Sequence, residues 1–345
     1  MAYTIKDVAR LAKVDPSTVS RILSNAAGFT YPEKTRSKVF AAAASIDYRP
    51  SEMATILRTK KSRMIGIAVQ PNPSYAGYRM ISMIFDSISE LGYTPVITGY
   101  KKEEDGTFTM SNELGSFCGI VCLYQNLEEK TVALCKKQNL QMPIVLLARS
   151  ITSSPLVWSV VSNTEKSILD AVRYLFDAGH REVALICFEA EKEDPKINAY
   201  AKAVKKLGLV KNLIFIQPVP EEDIYNAGQN AAKLLMKKKN ITAALCASDE
   251  IAMGFIYGLS SLGKRVPEDF SVIGFDDLPF ARYAFNGMST IKQYFDKKAK
   301  VAAELVISLV ETGKKHSKDN HEISLDCELV LRNTTAPSPL SLHKK

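Results

Sequence analysis

The sequence predicts a small all-α headpiece of the helix-turn-helix type followed by an α/β core of two doubly wound parallel-sheet lobes. Three observations predict it. With 345 residues the chain is too long for one compact core, and it suits two or three domains of ~100–150 residues each. The hydrophobic pattern changes at Met64, from short amphipathic helices to apolar runs that alternate with amphipathic segments. Charge is also uneven. Residues 1–61 hold eleven Lys or Arg against five Asp or Glu, so six of the eight net positive charges sit in the first sixth of the chain. A composition 46% hydrophobic and 24% charged excludes disorder along the whole length.

The headpiece elements follow in order. Thr4 can cap a first helix, with Asp7 at the third helical position where an acid favours the dipole. Ile5, Val8, Ala9 and Ala12 share one face. Lys13-Val14 is a tight turn. Asp15 caps a second helix and Pro16 suits its first position, with Val19, Ile22 and Leu23 as the apolar face. Thr30 and Glu33 read as a capping box opening a third helix, which runs to about Ile46 and ends at Asp47-Tyr48-Arg49-Pro50. Residues 51–58 form a short helical stretch with Met53, Ile56 and Leu57, and a polar linker follows. The expected boundaries are 1–50 for the headpiece, 51–63 for a hinge helix and linker, and 64–345 for the core.

In the core, 64–69, 94–98, 119–123 and 144–147 read as strands buried on both faces, and 80–91 has apolar residues at helical spacing. After Trp158 the alternation continues. Helices fall at 165–178, 196–207, 222–237 and 249–262, and strands at 182–187, 213–216, 243–247 and 271–275. Such alternation is the pattern of parallel sheets covered on both faces, and the strands are too many for one small sheet.

A compact basic module beside a near-neutral body suggests a polyanion partner. Two short helices joined by a tight turn expose the N-terminal end of the second, which can enter a DNA major groove. Pro16, Ser17 and Arg21 lie on that side, and Arg21 can grip a guanine edge bidentately, worth ~1–3 kcal/mol of discrimination. Thr4, Thr18 and Ser20 can bond phosphates, which fix register rather than sequence. A generic three-helix bundle with a solvated basic face is the alternative. The six cysteines form no CxxC pair and read as buried, reduced thiols. The N-terminus lacks a signal peptide's apolar region and no stretch is apolar enough to span a membrane, which points to the cytoplasm. No metal-ligand, Walker or Ser/His/Asp pattern is visible, so neither an enzyme nor a cofactor is expected.

The segments 4–12 and 15–21 closely resemble the headpiece of the lactose-repressor/galactose-repressor family of bacterial transcription regulators. Tyr48-Arg49-Pro50, His180-Arg181-Glu182-Val183-Ala184, the stretch from Ala247 to Gly254, the stretch from Val266 to Asp277, and Thr290-Ile291-Lys292-Gln293 continue the resemblance. It implies a core like the periplasmic sugar-binding fold, with lobes at about 64–162 with 293–322 and about 163–290 with 323–336. It implies a homodimer on a pseudo-palindromic operator, with Leu57 as a minor-groove wedge and Ala54 facing the same groove. Asp15 and Tyr48 join the DNA-binding set. The effector cleft would use Asp276 at a clamp carboxylate, Lys196 at the usual Arg, Ser248 at the usual Asn and Ala148 at another usual Asp. Tyr75 and Phe295 would line it, and Trp158 could stack on a ring. Lys cannot make the fork of Arg, so an unusual or phosphorylated ligand, or a cleft retuned toward a protein co-regulator, is implied. Lys13 stands where the family has Gly, the loop from Asn25 to Tyr31 is about one residue longer than is usual in the family, and residues 100–118 are short enough to truncate a helix of the first lobe.

The resemblance thus implies a dimeric DNA-binding regulator controlled by a sugar-like effector. Two alternatives are a regulator with a vestigial cleft and a protein co-regulator, and a solute-binding protein without DNA function. The tail from Thr334 lacks a leucine heptad, which favours dimers over tail-assembled tetramers.

Overall fold

The computed structural model describes residues 3–23, 29–48, 62–70, 73–102, 108–110, 114–123, 126–148, 154, 156–188, 194–216, 224–238, 240–313 and 321–342. The chain divides into two compact units, Met1–Met64 and Ile65–Lys345. The expected hinge helix, with Ala54 and Leu57, lies outside the described residues.

The first unit has three helices, α1 (Ile5–Ala12), α2 (Pro16–Leu23) and α3 (Glu33–Ser45). Their apolar faces meet in one small core of Val8, Ala9, Ala12, Val19, Ile22, Val39, Ala42 and Ala43. The Thr4 backbone N–H and hydroxyl both donate to the Asp7 carboxylate, at 2.9 and 2.8 Å, which fixes the start of α1. Lys13 ends α1 in the left-handed conformation, φ 55° and ψ 48°. Lys there costs ~1–2 kcal/mol relative to the Gly that the turn geometry favours. The Asp15 carbonyl accepts from the Thr18 and Val19 amides and so opens α2. The capping box expected at Thr30 is not made. Helix α3 opens two residues later with Pro32 at the cap position, since a ring-fixed φ favours the helix entrance.

The second unit is built on two sheets. One has seven strands, β1 (Met64–Val69), β2 (Thr94–Lys102), β3 (Phe108–Met110), β4 (Gly119–Cys122), β5 (Ile144–Leu146), β6 (Val157–Asn163) and β12 (Glu322–Asp326). Their order is β12-β6-β5-β4-β1-β2-β3. The other has six, β7 (Val183–Phe188), β8 (Asn212–Ile216), β9 (Ala243–Cys246), β10 (Ser271–Asp276), β11 (Thr290–Lys292) and β13 (Glu328–Val330), in the order β13-β11-β10-β9-β7-β8. Most pairings are parallel, and the antiparallel pairs β2–β3 and β11–β13 lie at sheet edges. Helices α4 (Tyr75–Glu90), α5 (Asn126–Lys137) and α10 (Phe295–Thr312) belong to the first lobe. Helices α6 (Thr164–Asp177), α7 (Pro195–Lys206), α8 (Ile224–Leu235) and α9 (Asp249–Ser261) belong to the second. Each lobe has its own apolar core, and helices cover sheets whose inner strands, such as β4, β9 and β10, are buried throughout, which is why those strands read as unbroken apolar runs.

The chain passes between lobes after β6, after β11 and after β12. The last passage falls between Asp326 and Glu328 rather than at the expected 322/323, because Glu322–Asp326 pairs in register with Ser159–Asn163. Among the described residues of 100–118, the hairpin strand β3 and a 3-10 turn at Leu114–Ser116 stand where a helix was expected to be truncated. In the second lobe α8 and α9 touch backbone to backbone. A Cβ on Gly254 would sit 2.0 Å from the Tyr225 carbonyl oxygen, and one on Gly228 would sit 2.3 Å from that of Ile251.

Candidate nucleic-acid interface and ligand cleft

Helix α2 presents two different faces. Val19 and Ile22 are buried, while Asp15, Pro16, Ser17 and Arg21 are exposed and Thr18 and Ser20 are half-buried. The exposed set comes from the helix entrance and its first turns, the part of a recognition helix that reaches base edges. The Arg21 guanidinium lies over the Phe29 ring, 4.4 Å from its centre, which holds the charge off the core and at the surface. Thr4 is exposed but its hydroxyl is committed to Asp7, so a phosphate would have to compete with that carboxylate. Tyr48 is half-buried against the headpiece core, and its amide donates to the Ala43 carbonyl. Its first role is to close α3.

The second site lies where the lobes meet at the carboxyl ends of their strands, the place where open α/β sheets bind ligands. The Tyr75 amide, at the start of α4, donates to Glu250 Oε1 at 3.1 Å, and the Tyr75 ring meets Phe280 edge-on at 5.9 Å. Asp276 ends β10 with φ 119°, and Asp277 follows with φ 53°. Two consecutive non-glycine residues in that region store strain, a common mark of functional turns. The Asp276 carboxyl is buried and accepts from Gln293 Nε2. Burial pushes it up to about 7, against the opposing pull of Lys196, Gln293 and Lys298. Asp277 is instead ion-paired to Arg332 at 2.5 Å and serves the fold.

Lys196 stands in the first turn of α7. Its ammonium pairs with Asp194 at 3.1 Å and lies 5.1 Å from the centre of the Phe275 ring. Lys298, in the first turn of α10, is buried, and its ammonium donates to Ser162 Oγ at 3.3 Å. Burial lowers it to about 8, with Lys196 acting in the same direction and Cys327 and Asp276 opposing. Asp249 is fully buried, accepts from Thr290 Oγ1 and the Leu278 amide, and is held well above the carboxylate range by burial and by Asp276. Glu250 is buried too, and its Oε2 has no hydrogen-bond partner among the described residues.

The structure brings Asp276, Lys196 and Tyr75 toward this junction. Ala148 follows β5 at its carboxyl end and is half-buried. Ser248 caps α9 by accepting from the Ile251 amide at 3.2 Å, so its hydroxyl already has a structural partner. Phe295 opens α10 and packs on the first-lobe core. Trp158 is corrected. It sits at the amino end of β6, about five residues below the crossing, and stacks on His321 at 4.2 Å. A strand rises ~3.3 Å per residue, so the indole lies roughly 17 Å from the strand end that faces the junction. Gln293, Glu250, Asp249 and Lys298 were missed as site residues. The first three stand inside the family-like motifs quoted from the sequence. Lys298 was masked by the lysine-rich run at 297–300, although it falls on the stripe of Phe295, Ala299, Ala302 and Val306.

His180 is a structural residue. It is fully buried, its ring meets Thr242 Oγ1 at 2.7 Å, Ser271 Oγ at 3.1 Å and the Ala336 carbonyl at 3.1 Å, and burial lowers its pKa below the ordinary imidazole value. All six cysteines are free thiols, four buried and two half-buried. Among the described residues no cluster of metal-ligating side chains occurs, and no helix is long and apolar enough to cross a membrane.

Residues 4–51 match the model of bacterial regulatory proteins of the lacI family, and residues 172–335 match a periplasmic binding protein-like domain. The chain is 31% identical to the HTH-type transcriptional regulator MalR of Clostridium butyricum, over 96% of this chain and 98% of that protein. It is 30% identical to the HTH-type transcriptional repressor PurR of Vibrio vulnificus, over 96% and 98%. In fold it is similar to a lac repressor dimer bound to operator and the anti-inducer ONPF, with a TM-score of 0.78, 23% identity, and coverage of 97% of this chain and all of that one.

Proposed function

From the premise that this chain belongs to the lacI family of bacterial regulatory proteins, we propose that it represses transcription from a DNA operator, as a homodimer, under the control of a small molecule held between the two lobes of its core. The observation that carries the reading is the pairing of the two sites in one chain. An α2 face with exposed Ser17 and Arg21 over a closed apolar core is a recognition surface. A strained, buried carboxylate at the lobe junction, with cations from two other elements near it, is a ligand clamp. Each subunit of the dimer reads one half-site, and the two half-sites lie one helical turn apart. Exposed aromatics support self-association. Tyr257 and Phe285 line a hollow of about 300 Å³ with Tyr225 and Met253 on the outside of α8 and α9.

Asp276 carries the ligand response, with Tyr75, Lys196, Ser248, Ala148 and Phe295 around it. The family resemblance assigns operator contact to Ala54 and Leu57, which lie outside the described residues. Binding shifts lobe closure, and with it DNA affinity, by the ~1–3 kcal/mol usual for such coupling. The protein works in the cytoplasm and is not an enzyme. The test is a gel shift with genomic fragments. Arg21→Ala lowers affinity for the selected operator by ~1–3 kcal/mol and changes affinity for random DNA much less. Equal binding of every fragment by the wild-type protein would refute the reading.

A further inference from the structure

Lys298 is the feature of the junction that the family-like motifs do not account for. Its side chain is 7% exposed. An ammonium has three donors and no acceptor. The structure gives this one a single hydrogen-bond acceptor among the described residues, Ser162 Oγ at 3.3 Å, a neutral hydroxyl at the long end of the range. A buried cation so poorly matched is costly unless something else supplies charge and acceptors.

The neighbouring groups supply only part of it. Lys196 is a second cation nearby and makes the burden greater. Asp194 is already engaged with Lys196 at 3.1 Å. Asp276 and Glu250 are both pushed by burial toward their neutral forms, and the Cys327 thiol is raised by its own burial. Among the described residues Lys196 thus has a carboxylate partner, while Lys298 makes no ion pair of its own. On the other side, Glu250 Oε2 is buried and has no donor facing it. An occupant with an acidic group at one end and hydroxyl donors at the other would satisfy both deficits.

We propose that Lys298, with Lys196 and Asp276 beside it, forms a subsite for the acidic group of a hydroxylated ligand, a sugar acid or a sugar phosphate. Lys298 contacts that group, while Asp276 and Glu250 accept from the hydroxyls. The inference rests on the effector reading above and narrows its ligand class. A carboxylate and a phosphate share the chemistry that Lys298 requires, since both offer two or more anionic acceptors.

The experiment is calorimetric titration of the full chain with matched sets built on glucose, galactose and mannose. Each set holds the neutral sugar, its uronate and its 6-phosphate. The expected result is at least tenfold tighter binding of one charged member than of its neutral parent. Lys298→Met abolishes that preference and Lys298→Arg keeps it, both with operator binding retained by gel shift. A uronate in the lead assigns the carboxylate source, and a 6-phosphate in the lead assigns the phosphate source. The proposal is overturned if the neutral sugars bind as tightly as the charged ones, if the preference survives Lys298→Met, or if no member of any set binds. Tight binding of a neutral sugar that alters operator affinity would leave the effector reading standing while the charge inference falls.

Discussion

Replacing Asp276 with Asn should make the ligand-free protein more stable, and by an amount that depends on pH. The carboxyl rises from an ordinary 3.8 to about 7 because burial disfavours its charge. A group whose folded value is raised binds its proton more tightly in the native state. Its contribution is fully favourable below the unfolded value and is lost as pH rises through the folded one. At ~1.36 kcal/mol per pKa unit, the full span is about 4 kcal/mol, and the interval from about pH 5 to about pH 7 accounts for a little over 2 of it. Asn keeps an Oδ1 that can accept from Gln293 and carries no charge, so its own profile is flat through this window. For a unit of this size, 1 kcal/mol moves Tm by roughly 2 °C. The Tm of the variant minus that of the wild type should therefore widen by about 5 °C between those pH values and level off above them. The assay is thermal unfolding of both proteins in ligand-free buffers of matched ionic strength. Parallel profiles, or a variant that loses ground as pH rises, would refute the burial of an ionisable Asp276.

Lys13→Gly relieves the left-handed turn and should stabilise the headpiece by ~1 kcal/mol, read as a higher midpoint for the first unit in denaturant titration. Gly254→Ala puts a methyl 2.0 Å from the Tyr225 carbonyl oxygen and should destabilise the core by about 2 kcal/mol or more, with Gly115→Ala, which meets nothing within 4 Å, as the control for an added methyl. Burial depresses His180, so the unfolded chain takes up its proton first. Wild-type stability should fall as pH drops below the ordinary 6.5, and His180→Gln should flatten that slope while lowering the plateau, followed by chemical denaturation at several pH values.

The strands buried on both faces were legible because apolar runs leave no ambiguity about their surroundings, as β4 and β10 show. The starts of α1 and α2 were legible from Thr4, Asp15 and Pro16. The start of α3 was not, because Thr30 offers a capping side chain while Pro32, two residues on, takes the cap position. Strands β12 and β13 escaped notice because they are edge strands with alternating or exposed polar residues. Helix α5 was passed over because its apolar face is weak beside its five charged residues. At the site, Asp276 could be found from its motif. Trp158 could not be placed without knowing which end of β6 meets the second lobe. Lys298 illustrates the same limit, since a lysine among lysines looks solvated until the helix phase is imposed on it.

The order in which the chain threads the two lobes bears on how it can be made in a cell. The outermost strand of each sheet comes from the last stretch of sequence, and Thr334 and Ala336 then tie back to Val272, Ser289 and His180. A ribosome has therefore translated nearly all of the core before either lobe can complete its sheet. A premature stop a few codons before Glu322 would leave two unfinished sheets with open edges, exposed to aggregation and proteolysis, instead of one intact lobe and one lost.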